Sequence, residues 1–570
     1  MASHDLVIRA GTVIDGTGAE PRGADVAIDG ETITEVGTVE GTGTREIDAA
    51  GALVTPGFVD IHTHYDGQAT WDHHLAPSSW HGITTVIMGN CGVGFAPVRN
   101  EDHDRLIELM EVVEDIPGAA LHEGLSWNWN SFAEYLDAVE AVPHDIDVGA
   151  QVPHGALRLH VMGERGARRE PATPDDIAAM AELAREAIEA GGVGFSTSRT
   201  MNHRSSKGEL TPTLDAERDE LVGIAEAVGA AGRGVLQVVS DHIDSDEEFS
   251  TLRAMSERSG RPLSISVVAS QVRDDWHRAA LRHITDANAA GLRVRAQVAP
   301  RPVGIILGLD LTLNPFMTTA VWKNDLRDLT LADKVAAMRR DEVRAALLDQ
   351  VGERQRALVG ARMIDKYDYM FELADPPNYE PAPDTSVAAR AAAAGVTPQE
   401  LALDVLLADD GQGMLYVPFA NYIDGSLDTV GEMLRHEFTI PGLGDGGAHV
   451  GTICDGSFST TLLTHWGRDR ADGRLPLEDL VRMHCRDTAA AVGLHDRGQL
   501  LPGLRADVNV IDFDNLTALR PEIHHDLPAG GRRMLQRARG YLHTICAGQE
   551  IYANGEATGA LPGRLVRHAG

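Results

Sequence analysis

Two histidines one residue apart, His62 and His64, close the run Pro56-Gly57-Phe58-Val59-Asp60-Ile61-His62-Thr63-His64-Tyr65-Asp66. In an extended strand residues i and i+2 point to the same side, so both imidazoles can face one point in space. That suits two nitrogens on one metal ion. A bare pair would equally suit a strand end with solvated or core histidines. The Pro-Gly opening and the apolar strand before the pair favour the metal.

Other polar residues stand where apolar runs end: Asn90-Cys91-Gly92, His154, and Asp445 within Gly444-Asp445-Gly446-Gly447-Ala448-His449. Cys91 reads either as a thiolate ligand, since a nearby cation lowers a thiol pKa, or as a buried core residue. A carboxylate such as Asp445 beside a metal-activated water can take its proton and pass it to a leaving amine. The glycines around Asp445 would let the backbone approach a ligand closely. His154, His449 and His465 are weaker candidates among 24 histidines. Arg199, with Arg301, Arg158 and Arg204 beside it as alternatives, could pair with a substrate carboxylate or serve as a structural ion pair. Trp127 and Trp129 would line an acyl pocket or pack a loop.

These residues need elements to position them. Eight short apolar runs read as strands: 57–64, 84–91, 147–155, 191–198, 234–241, 262–270, 293–300 and 438–447. Amphipathic stretches such as ATPDDIAAMAELAREAIEAG separate them. The pattern predicts a (β/α)8 TIM-like barrel, with an open doubly wound sheet as the alternative. Residues 1–55 and the tail alternate in short runs broken by turns, which predicts a small β-sandwich built from both termini. The boundaries expected are 1–55, 56–495 and 496–570. A long insertion at 301–437, too long for a simple connection, reads as a lid or a peripheral decoration.

Composition narrows the partners. The 570 residues carry 85 acidic and 50 basic side chains, a formal net charge of −35. That argues against nucleic acid or an anionic membrane. No window approaches the ~18 apolar residues of a membrane span, and the N-terminus does not look like a signal peptide. Four cysteines without a C-x-x-C pair fit a reducing compartment, so a cytoplasmic protein is expected, with a homo-oligomer left open.

The DIHTHYD strand end, the GNCG strand end, GDGGAH and the closing ADVNVIDFD together resemble the amidohydrolase superfamily. Within it the chain resembles the N-acyl-D-amino-acid deacylases (D-aminoacylases), over nearly its whole length. The resemblance implies zinc at the barrel mouth, an N-acylated small-molecule substrate and hydrolysis of a linear amide. It puts His62, His64 and Cys91 in the place of metal ligands, and Asp445 in that of the catalytic aspartate, itself a ligand. His154, Arg199 and His449 are the substrate-binding candidates. Two departures stand out. The histidines that the family places on strands five and six are replaced near Val239 and Val267, and strand four has no lysine to carbamylate. One zinc ion per chain is therefore expected, on His62, His64 and Asp445, with Cys91 as a further candidate. A cyclic-amide hydrolase and a non-catalytic assembly protein are the alternatives.

Overall fold

The structure, a computed structural model, describes residues 3–205, 207–273, 275–349 and 363–567. All eight expected strands form: β1 (Phe58–Asp60), β2 (Ile83–Met88), β3 (Asp147–Pro153), β4 (Gly194–Arg199), β5 (Val235–Ser240), β6 (Leu263–Ser266), β7 (Val294–Val298) and β8 (Thr439–Pro441). They pair in sequence order, every pair parallel. Closure comes just beyond the strands. Thr63 bridges Gly446 in parallel, the Asp445 N–H donates to the His62 carbonyl at 2.9 Å, and the His64 N–H donates to Gly446 O at 2.8 Å. The result is a TIM-like barrel whose strands are covered on both faces, as the fully buried β2 and β3 show.

Helices cover the outside for reasons visible locally. The helix Pro174–Glu189 starts at a capping box between Thr173 and Asp176, has Pro174 at its first position, and buries Met180, Ala184, Ala187 and Ile188 along one stripe. The run expected to extend to residue 155 stops at Pro153, which has no N–H for a ladder. His154 instead opens the helix His154–Met162.

The two terminal β segments do share one nine-stranded sheet. Leu53–Pro56 lies between His4–Val13 and the C-terminal strand Val508–Ile511, with Val54 opposite Val510. Leu6, Ile8, Val26, Val54, Val508, Val510 and Ile545 fill its core. A buried carboxylate joins this sheet's chain to the base of the barrel. Asp147, the first residue of β3, accepts from Arg497 Nη1 at 2.6 Å, Arg505 Nη2 at 2.9 Å and the Arg564 N–H at 2.9 Å.

Between β7 and β8 the chain builds a separate unit. Val303–Leu307, Leu415–Ala420 and Phe371–Glu372 form a small antiparallel sheet, and its helices pack on a core of their own that includes Ile305, Leu307, Leu403, Leu415 and Val417. Its end is fastened to the barrel mouth: Asn421 N–H donates to Ala269 O at 2.8 Å, and Ala269 N–H to Asn421 Oδ1 at 2.7 Å. Among the described residues no helix is long and apolar enough to cross a membrane.

Candidate metal centre

The C-terminal ends of β1, β2 and β8 converge on one cluster. The ligand atoms of His62, His64 and Cys91 all lie within 4.8 Å of one another, and all three residues are buried. His62 Nε2 is 3.3 Å from Cys91 Sγ and 3.5 Å from Asp445 Oδ1, and His64 Nε2 is 3.8 Å from the same oxygen. The edges of a tetrahedral zinc site with ordinary Zn–N and Zn–S bonds are roughly 3.3–3.6 Å long, so these separations suit one ion between the four groups.

The backbone is shaped to bring them together. Cys91 has φ +55° and Asp445 φ +47°, both in the left-handed region, where a non-glycine residue is strained and held by its surroundings. Cys91 is held by its N–H, which donates to Gln237 Oε1 at 3.1 Å. At Asp445 the flanking glycines make the fit: a Cβ on Gly444 would stand 2.1 Å from Asp60 Oδ2, and Gly447, at φ +87°, passes against the His64 carbonyl. The glycines expected to admit a ligand thus admit strand one.

The electrostatics favour a cation. Burial pushes the Asp60 and Asp66 carboxyls up to about 7, and raises Asp445 and Glu114 well above the usual range, with neighbouring carboxylates adding to the effect. Burial also pushes His62 down to about 4 and raises the Cys91 thiol. His64 Nδ1, Asp60 Oδ2, Asp66 Oδ2 and Glu114 Oε2 are buried without a hydrogen-bond partner among the described residues. Buried polar atoms left in that state point to a group that completes them. Carboxylates crowded around neutral imidazoles and a thiol are a donor set that a divalent metal fits.

The floor and the rim of the cluster differ. The His62 and His64 side chains are 1–2% exposed, whereas Asp445 is 18% exposed and His449 17%. His449 Nε2 stands 3.7 Å from Glu114 Oε2. Two expected substrate residues have protein partners of their own. Arg199 is clamped by Glu248, with Nε 2.6 Å from Oε1 and Nη2 3.0 Å from Oε2. His154 is fully buried between Thr197 Oγ1 and Glu220 Oε1, each at 2.8 Å, because it opens a helix rather than ending a strand. Arg158 likewise pairs with Glu220, and Arg301 pairs with Asp455 and stacks on Tyr379. Trp127 and Trp129 pack against His103 and Tyr135 in a loop. His465 pairs with Glu380.

Four residues at the cluster carry no motif. Glu114 follows the helix His103–Val113, and His203 follows β4, its Nδ1 2.9 Å from Ser198 Oγ. Burial pushes His203 down to about 4, with His62 contributing through its charge. Gln237 and Gln297 are detectable as buried polar residues inside the mainly apolar runs VLQVVS and VRAQV. On strand six, Gln297 Nε2 donates to Ser264 Oγ at 2.8 Å, so alternation points Ser266, not Val267, toward the interior.

The barrel and its cluster define a class. The amidohydrolase family model matches residues 45–552, and the chain belongs to that family. D-aminoacylase of Alcaligenes xylosoxydans xylosoxydans is 31% identical over 269 residues, 47% of this chain and 50% of that protein. N-acyl-D-glutamate deacylase of the same organism is 33% identical over 306 residues, 52% of this chain and 57% of that protein. The chain thus spans about half the length of these curated relatives. A solved structure of D-aminoacylase, concerned with one-metal activation and second-metal attenuation of its binuclear centre, superposes with a TM-score of 0.66. It covers 99% of this chain and 100% of that one at 24% identity, a likeness of fold.

Proposed function

We propose that the protein is a metal-dependent amidohydrolase that cleaves a linear amide, an N-acyl-D-amino acid in particular. The observation that carries this reading is the cluster itself: His62, His64 and Cys91 within ligand distance of one another, facing the half-open carboxylate of Asp445. When bound, zinc supplies Lewis acidity toward a carbonyl oxygen and makes water more acidic. The chain's own part falls to Asp445, which accepts the proton of the attacking water at Oδ1 and returns it to the departing nitrogen. His449 and His203 stand at the open side, where a substrate enters. The catalytic unit in this reading is 56–495, flanked by the sheet from 1–55 and 496–570. Incubating the purified protein with N-acyl-D-amino acids, N-acyl-L-amino acids and cyclic amides, with detection of the released amine or the ring-opened acid, tests it. Release from the D-series supports the proposal; turnover of cyclic amides alone would replace it, and no turnover of any class would end it.

One ion per chain is expected. His62, His64 and Cys91 are the one group among the described residues that could hold a metal, and strands five and six offer Gln237 and Ser266 where further imidazoles would be needed. Elemental analysis of protein purified without added metal should give about one zinc. A reproducible two would count against it.

Cys91 is expected to be a ligand. A serine hydroxyl resists ionisation and poorly replaces a soft thiolate, so Cys91→Ser should lose zinc affinity, as His62→Ala should. If Cys91→Ser holds zinc as tightly as the parent while His62→Ala does not, Cys91 is a core residue and the site rests on His62, His64 and Asp445.

A further inference from the structure

The two histidines of the cluster are backed differently. His62 Nδ1 lies 2.7 Å from Gln297 Oε1, an oxygen that can only accept, so Nδ1 carries the proton and Nε2 offers its lone pair toward Cys91 and Asp445. Gln297 is in turn fixed by Ser264. His64 has no such amide. Its Nδ1 lies 3.3 Å from Glu114 Oε1, a carboxylate 2% exposed, while its Nε2 faces Asp445. A histidine that ligates through one nitrogen commonly donates from the other to a carboxylate or carbonyl, which fixes the tautomer and makes the ligand more basic.

Glu114 is tied to more than His64. Its carbonyl accepts the His449 N–H, and its Oε2 stands 3.7 Å from His449 Nε2. The next residue, Asp115, turns with φ +50° and takes the Gly451 N–H on Oδ2 at 3.1 Å and the Thr312 hydroxyl. Residues 114–115 therefore hook the loop that follows Asp445 onto the ring of a strand-one histidine. Neither His64 Nδ1 nor Glu114 Oε2 has an aligned hydrogen bond among the described residues. A small rotation of the imidazole closes the 3.3 Å contact, as such bonds tighten when a site is loaded.

We propose that Glu114 is a positioning residue of the metal centre: its carboxylate holds His64 with Nε2 toward the ion and couples that histidine to the loop carrying Asp445 and His449. This rests on the metal-dependent reading above. The cluster therefore has one amide and one carboxyl support, Gln297 behind His62 and Glu114 behind His64.

The test is zinc affinity, measured on chelator-stripped protein by competition with a chromophoric chelator, alongside the thermal unfolding of the stripped protein. Glu114→Gln keeps the shape and removes the charge. Zinc affinity is expected to fall 10–100-fold, with the unfolding temperature of the stripped protein no lower than the parent's, because glutamine fills the same buried space and Glu114 Oε2 has no hydrogen bond to lose among the described residues. A purely structural Glu114 would give the reverse pattern, and that result overturns the proposal. The double variant Glu114→Gln/Gln297→Glu moves the carboxylate from behind His64 to behind His62 and should recover part of the loss. Should Glu114→Gln not fold, Glu114→Asp, which keeps the charge and withdraws it by one methylene, carries the same expectation of weakened zinc. If the parent binds zinc and the variants bind it equally well, Glu114 alone is wrong. If the parent binds none, the metal-dependent reading falls, and this proposal with it.

Discussion

Turnover of Asp445→Asn is expected to be lower than the parent's by about two to four orders of magnitude, the usual worth of a general base. The substitution is clean for structural reasons. Asparagine has the same size, tolerates the left-handed backbone that Asp445 adopts at φ +47°, and keeps the N–H that donates to the His62 carbonyl. Barrel closure between β1 and the segment after β8 should therefore survive. What disappears is the anionic oxygen 3.5 Å from His62 Nε2 and 3.8 Å from His64 Nε2. Because that oxygen also stands where it can ligate, zinc content must be measured on the same samples and the rate expressed per bound ion. A per-ion rate equal to the parent's, on a substrate the parent hydrolyses, would remove Asp445 from the proton transfers.

Asp147→Asn is expected to cost about 3 kcal/mol of stability without touching the cluster, which lies at the opposite end of the strands. Asp147 is fully buried, and the arginines that meet on it, Arg497 and Arg505, have side chains only 2% and 3% exposed. Removing one charge from such an arrangement leaves the opposite charges uncompensated, which costs about 3–5 kcal/mol. The low end applies because Arg497 keeps Asp496, and Arg505 keeps Glu31 and Asp507. The measurement is the urea-unfolding midpoint, read at unchanged slope. An unshifted midpoint would mean that the three anchors on Asp147 contribute little to holding the C-terminal segment on the barrel.

The barrel was legible because its strands are buried on both faces. Short, mainly apolar runs alternating with amphipathic stretches have few other meanings, and each of the eight became a strand. Their ends were less legible. His154 reads as a strand end, yet Pro153 ends the ladder and His154 opens a helix, where its ring is taken up by Thr197 and Glu220. Arg199 does stand at a strand end, but Glu248, 49 residues later, occupies its guanidinium, a pairing that only the folded helix geometry creates. The cluster was readable where spacing encodes it, as in His62 and His64, and hidden where long-range packing does. Glu114 and His203 sit in loops whose sequence obeys no periodicity, and only the folded loops bring them to the cluster. Gln237 and Gln297 lay between these cases, each a polar residue that an all-apolar strand has no reason to contain unless something inside the barrel needs it.

The strand Leu53–Pro56 has a consequence for how the chain comes into being. One of its edges pairs with His4–Val13, which is made just before it, but the other pairs with Val508–Ile511, about 450 residues later. At synthesis rates of about 5–20 residues per second, roughly 20–90 seconds pass on the ribosome before that second partner exists. During that interval the N-terminal strands present an open edge, a ready template for another nascent chain. The barrel between them can close first, and the sheet is completed only after it.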